Sequence, residues 1–269
     1  MPSALRASLP PRMPATQTDE QKGAVRSFWE RTPCGSWDAS APEGTREYFD
    51  QIERRRYELE PFIHRFARFG ETRGQRVLEI GVGLGTDHVQ FARAGAQLTG
   101  VDLTDKGIEL VARRLELEGL RSDLQVADAE RLPFEDGSFD VVYSWGVLHH
   151  TPDTPRAVAE AQRVLRPGGR LCAMLYSRHA WVSYGLWARH GPLSRRPFRS
   201  LSDVLHHHME SLGTKGYTKR ELRRMFNRLD DLRIDKVCTP YDVEYAGGLA
   251  RLTERWLGFF AVIQGRRRA

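Results

Sequence analysis

The chain reads as an α/β protein built on a doubly wound, largely parallel sheet. Three observations predict this. Short apolar runs alternate with helical stretches between residues 75 and 176, turn-forming residues punctuate the exchange, and 269 residues suit one large domain. Taken in order, 1–18 carries Pro2, Pro10, Pro11 and Pro14 with no apolar run, and is expected to be a flexible tail rather than a secretory signal. Residues 19–30 predict a helix, with Thr18 as N-cap and Pro33 and Gly35 ending it. Phe49, Ile52, Leu59, Ile63 and Phe66 recur at helical spacing across 47–69. Strands are expected at 77–80, 97–101, 124–127, 139–143 and 170–176, with helices over 86–94, 106–117 and 154–165. A Pro167-Gly168-Gly169 turn precedes the fifth strand. Beyond it, 218–229 predicts a helix, 232–237 a strand and 257–263 the last strand.

Two segments break the alternation. Residues 178–216 hold Trp181, Tyr184, Trp187, Phe198 and His206-His207-His208; residues 239–256 hold Tyr241, Tyr245 and Trp256. Insertions after late strands lie at the sheet's carboxyl edge, where such folds bind ligands, so both are read as substrate-side elements.

Composition narrows the function. With 40% hydrophobic residues the chain can bury a core, and no run of 18 apolar residues is present, so no membrane span is expected. Residues 1–150 carry 19 Lys and Arg against 24 Asp and Glu, whereas 151–269 carry 22 against 11. The basic excess is mostly arginine scattered over helical stretches, which reads as solvated faces rather than a nucleic-acid stripe. Cys34, Cys172 and Cys238 are far apart and form no CxxC pair, which excludes a disulfide framework and a structural zinc site and suggests a reducing, cytoplasmic setting.

The chemistry-bearing residues sit at strand ends. The first strand runs into Glu79-Ile80-Gly81-Val82-Gly83-Leu84-Gly85-Thr86, a G-x-G-x-G turn that lets backbone approach a ligand. Thr86 stands where a dinucleotide fingerprint wants its last glycine. Asp102 ends the second strand, placed for ribose hydroxyls; Asp128-Ala129 follows the third and Trp145-Gly146-Val147-Leu148-His149-His150 the fourth.

In these residues the chain resembles the class I S-adenosylmethionine-dependent methyltransferases, specifically the small-molecule type 11 group. The likeness rests on VLEIGVGLGTD (77–87), GVDLT (100–104), VADAERLPFEDGSFDVVYSWGVLHH (126–150) and RVLRPGGRL (163–171), in order and at family spacing. It is close over 75–176 and looser to 265. The resemblance implies a Rossmann-like, seven-stranded sheet with its last strand antiparallel. It also implies a helical lid over 19–70 and a core over 71–269, with the 178–216 insert on the substrate side.

The resemblance further implies S-adenosylmethionine as cofactor and a small-molecule acceptor, with neither nucleic acid nor metal, in a monomer or homodimer. Gly81, Gly83 and Gly85 would lie against the methionine part, supported by Glu79. Asp102 would hold the ribose, Leu103 would pack on the adenine, Asp128 would accept from its amine with Ala129 alongside, and Trp145 would flank the cofactor. His149 and His150 are the candidate bases, because imidazole titrates near working pH; the alternative is that they pack or cap the next loop. Tyr48 and Tyr57 are candidates for the lid's contact with ligand. Trp181, Tyr184, Trp187, Tyr241 and Tyr245 are expected to wall an aromatic or apolar acceptor, or else to bury one another as a cap.

Other features are read as structural. Arg54-Arg55-Arg56 suits an exposed helix face. Pro33-Cys34 stands before the glycine turn, the wrong side for a cytosine-C5 nucleophile. Adjacent histidines at 206–208 point in different directions on a helix, which disfavours a metal site there. Two rival readings remain: an NAD-dependent oxidoreductase, for which no Tyr-x-x-x-Lys pair is found, and a binding protein that keeps the cofactor without catalysis. The acceptor atom, O, N or C, stays open.

Overall fold

The computed structural model describes residues 15–211 and 213–269; of the tail expected over 1–18, residues 1–14 lie outside it. The first helix, α1 (Ala15–Arg31), starts right after the last of the tail's prolines, four residues earlier than expected. The long helix expected over 47–69 is two, α2 (Arg46–Leu59) and α3 (Ile63–Ala67). Pro61 removes a backbone donor and forces Glu60 out of helical geometry, at φ −129° and ψ 58°.

The sheet then forms from β1 (Arg76–Ile80), β2 (Gln97–Asp102), β3 (Asp123–Val126), β4 (Phe139–Trp145), β5 (Leu165–Tyr176), β6 (Leu229–Val237) and β7 (Phe260–Arg267). Its seven strands run in the order β3-β2-β1-β4-β5-β7-β6. β7 is antiparallel to both β5 and β6, and the pairings among β1 to β5 are parallel. The last strand starts later than expected, because Leu257 ends a short helix and Gly258 turns the chain into β7. Pro167-Gly168-Gly169 lies inside β5, where the register against β4 shifts between Phe139 and Val141.

Alternation sorts the core. Val77, Val141 and Tyr143 pack on one face with Phe91 and Ile63, while Leu78, Val142 and Leu171 pack on the other with Val158, Leu222 and Phe226. The covering helices are α4 (Thr86–Arg93), α5 (Asp105–Glu118), α6 (Thr154–Val164) and α9 (Lys219–Met225). Tyr48, Phe49 and Ile52 of α2 pack on Leu84 and Leu110, which docks the N-terminal segment on α5.

The aromatic segments form helices too: α7 (Trp181–His190) and α8 (Leu201–His208), then α10 (Pro240–Ala246), α11 (Gly248–Leu252) and α12 (Glu254–Leu257). The two segments pack together. A Cβ on Gly185 would stand 2.1 Å from Tyr245 Cδ1, and Trp181 Nε1 donates to Thr253 Oγ1 at 2.8 Å. Among the described residues no helix is long and apolar enough to cross a membrane.

Candidate active site

Parallel strands that share a direction end their carboxyl termini along one edge, so the turns after β1, β2, β3 and β4 converge there. They line one cavity, with Glu79, Gly81, Gly83, Asp102, Leu103, Asp128, Ala129, Trp145 and His150 all on its wall. Trp145 is the last residue of β4 rather than a residue beyond it.

The three glycines serve three ends. Gly83 has φ +52° and, among the described residues, nothing within 4 Å of where a Cβ would be, so it presents bare backbone to the cavity. A Cβ on Gly81 would meet Val147 Cγ2 at 2.2 Å, so that glycine is required by packing against the β4 turn. Gly85 faces Val111 at 3.0 Å and is not on the cavity wall, which corrects its expected ligand contact.

Asp102 is fixed by its own chain. It accepts from Gly83 N at 3.0 Å, Thr104 N at 2.9 Å and Thr104 Oγ1 at 2.7 Å. Asp128 accepts from Glu130 N at 2.9 Å and from Lys22 Nζ of α1 at 2.5 Å; Lys22 also reaches the buried Glu130 at 2.9 Å. Helix α1 is thereby latched over the third-strand end.

Glu79 is buried and meets His88 Nδ1 at 2.9 Å rather than the turn backbone. Burial, with Asp87 nearby, holds its carboxyl well above the usual range, and burial pushes His88 down to about 3. The His88 imidazole is therefore neutral, and burial favours the protonated form of the Glu79 carboxyl more than that of an ordinary carboxylate. Asp87 is the charged acid of this end. Burial opposes its ionisation, but Arg56 at 2.7 Å, Tyr143 at 2.7 Å and Tyr57 at 3.0 Å hold it below the ordinary carboxylate value. Arg56 also lies 5.8 Å over the Trp145 ring. Of the three arginines read as a solvated face, Arg54 and Arg55 are exposed and Arg56 turns into the cavity.

The histidine pair divides. His150 is on the cavity wall, with Nδ1 at 2.9 Å from Ser211 Oγ and 3.0 Å from Thr214 Oγ1, and Nε2 at 3.3 Å from Glu210. His149 stands behind the wall, fully buried, and neither ring nitrogen has a partner among the described residues. Burial, then the neighbouring His150 and Lys215, push its pKa well below the ordinary value.

Of the seven aromatic residues expected at the acceptor, only Tyr241 lines the cavity. Tyr48 is in the α2–α5 core and Tyr57 bonds Thr86 O and Asp87. Trp181 and Tyr245 join the two insert segments, Trp187 Nε1 donates to Arg199 O at 2.8 Å, and Tyr184 bonds His179 at 2.9 Å. The physical reason is that indole and phenol edges find polar partners within the cap, which draws the half-buried Trp181 and Trp187 into it and leaves Tyr184 and Tyr245 exposed on its outside. The aromatic wall that does exist comes from Trp29, Trp37, Tyr176 and Phe260. No local signal marked these four, nor Lys22, Arg56 and Glu210, because the elements that bring them in are remote in sequence.

Residues 78–173 match the family model described as "Methyltransferase domain". A phthiotriol/phenolphthiotriol dimycocerosates methyltransferase from Mycobacterium ulcerans is 47% identical over 110 residues, 40% of this chain and 40% of that one. A 27-O-demethylrifamycin SV methyltransferase from Amycolatopsis mediterranei is 41% identical over 101 residues, 36% of this chain and 37% of its own. The aligned stretch thus spans about two fifths of these relatives' length. The crystal structure of a magnesium protoporphyrin IX methyltransferase from Synechocystis with bound SAH superposes with a TM-score of 0.61 at 15% identity, over 91% of this chain and 99% of that one, and so speaks to the fold. Residues 78–173, which carry the glycine turn and the two strand-end acids, are thus similar to a methyltransferase domain, and the chain shares the fold of the magnesium protoporphyrin IX methyltransferase.

Proposed function

We propose that the protein transfers a methyl group from S-adenosylmethionine to a small-molecule acceptor of aromatic or apolar character. The observation that carries this reading is the pairing of Asp102, prefixed by three internal donors, with the bare backbone of Gly83 on the same wall. A diol-bearing nucleoside fits that wall, with Asp102 accepting from the ribose and Asp128 from the adenine amine. The sulfonium end then falls between Gly81, Glu79, Arg56 and Trp145. Arg56 supplies a cation suited to an amino-acid carboxylate.

Methyl transfer needs nucleophile, carbon and sulfur in line within a dry pocket. Trp29, Trp37, Tyr176, Tyr241 and Phe260 offer an apolar surface beyond Trp145 that excludes water and stacks a flat acceptor. His150 is the member of the histidine pair that reaches the cavity and stands beside the acceptor. Helix α1, with Lys22 and Trp29 on the wall, acts as the lid.

The relatives named above act, by their printed names, on phthiotriol/phenolphthiotriol dimycocerosates and on 27-O-demethylrifamycin SV; they support an extended apolar or polyketide-like acceptor here. The test is calorimetry with S-adenosylhomocysteine beside NAD, followed by a labelled-methyl screen of such acceptors. Binding of NAD alone would overturn the reading. For the active acceptor, Tyr241→Ala should raise KM with cofactor affinity unchanged, while Trp187→Ala should lower thermal stability and leave KM alone.

A further inference from the structure

We propose that the wall of the cavity beside the acceptor is a divalent-metal site made by His149, His150 and Glu210, suited to a borderline ion such as zinc. One ligand atom from each of the three lies within 4.8 Å of the others, and His150 Nε2 is 3.3 Å from Glu210 Oε2. The two histidines come from the turn after β4 and the glutamate from the segment after α8, so the insert completes the cluster.

His149 supplies the second, independent observation. It is fully buried, and among the described residues both of its ring nitrogens lack partners. A neutral imidazole carries one N–H and one lone pair, and burying polar groups unpaired is unfavourable. No acceptor molecule reaches His149, because it stands behind the cavity surface. A single ion held against His150 and Glu210 does reach it and takes its lone pair.

The surroundings fit ligation. The hydroxyls of Ser211 and Thr214, at 2.9 and 3.0 Å from His150 Nδ1, can accept its N–H and leave Nε2 free to ligate, the outer-shell pattern of metal-bound histidines. Tyr176 Oη donates to Glu210 Oε2 at 2.9 Å and orients that carboxylate. The nearby Lys215 ammonium is occupied by the carbonyls of Thr151 and Gly213, at 2.8 and 3.1 Å. Two imidazoles and one carboxylate favour zinc, cobalt or nickel over magnesium, and three protein ligands leave a position open toward the cavity. An acceptor oxygen in that position would have its proton made more acidic.

This deepens the proposed reading of the cavity and rests on it for what faces the ion, but the ion is measured without turnover. Chelator-stripped full-length protein is titrated with cobalt(II), read by visible absorption, and with zinc(II) against a chromogenic chelator. One equivalent should bind with a four- or five-coordinate cobalt spectrum, and His149→Ala and Glu210→Gln should each weaken binding at least about 100-fold. Glu210→Gln keeps the test valid if His149→Ala fails to fold. His207→Ala, in the separate histidine run, should leave the titration unchanged. No stoichiometric binding, a titration indifferent to Glu210→Gln, or one abolished by His207→Ala would overturn the site. Metal-free protein that still binds S-adenosylhomocysteine would place that failure here and not with the methyl-transfer reading.

Discussion

Asp102→Ala tests the cofactor wall most directly. A carboxylate has roughly four acceptor positions. Three internal donors occupy Asp102, at 2.7 to 3.0 Å, so about one position remains for the cavity. A hydrogen bond to a charged group contributes about 1.5–3 kcal/mol, so losing one ribose contact should weaken S-adenosylhomocysteine about 10- to 150-fold. Asp102→Asn should fall nearly as far: its oxygen can keep the Thr104 bonds, but its amide then points a donor at the Gly83 N–H. Titration calorimetry on variants with native circular dichroism reads the effect. A dissociation constant within about twofold of wild type for both variants would remove Asp102 from the site and leave its three internal bonds as loop architecture only.

The remaining predictions separate ligand contact from packing. Gly83→Val should abolish cofactor binding in a chain that keeps its sheet, because its Cβ direction is open space, whereas Gly81→Ala should lower the melting temperature first, because its Cβ would collide with Val147; the reverse pattern would exchange their roles. S-adenosylhomocysteine should slow amide exchange across 19–31, and Lys22→Ala should speed it in the free protein by releasing the latch on Asp128 and Glu130; unchanged protection in both would make α1 a packing element instead of a lid. Burial lowers Lys215 from 10.5 to about 8, so between those values the unfolded chain binds more protons and stability rises with pH. Lys236 shifts likewise, so the readout is the difference in slope between wild type and Lys215→Met in denaturant melts across that window; equal slopes would show that Lys215 titrates normally.

What could be read in advance follows the range of the interactions. The short apolar runs at Val77-Leu78 and Val141-Val142 are a local signal, and their neighbours go to opposite faces of a sheet covered on both sides. The strand-end residues converge because parallel strands share a direction, so the place of Gly83, Asp102 and Asp128 follows from topology alone. Even there, sequence could not say that Gly85 answers to Val111 while Gly83 answers to empty space, since the three glycines look alike and their neighbours come from α5 and the turn after β4.

The aromatic inserts mark where such reasoning stops. A tryptophan's apolar bulk says that it will be covered, not by what, and its N–H must find an acceptor wherever it goes. Trp181 found Thr253 and Trp187 found Arg199, partners 72 and 12 residues away, and both rings were drawn into the cap. The adjacent His149 and His150 diverge for a similar reason: a one-turn 3-10 segment after β4 aims one ring at the cavity and the other into the wall. Their common neighbour Glu210 arrives from 60 residues past His150. That one short-range turn and one long-range arrival decide which histidine faces the cavity and which is left needing a partner. The acceptor chemistry is therefore set less by the motif residues than by what the insert carries to them.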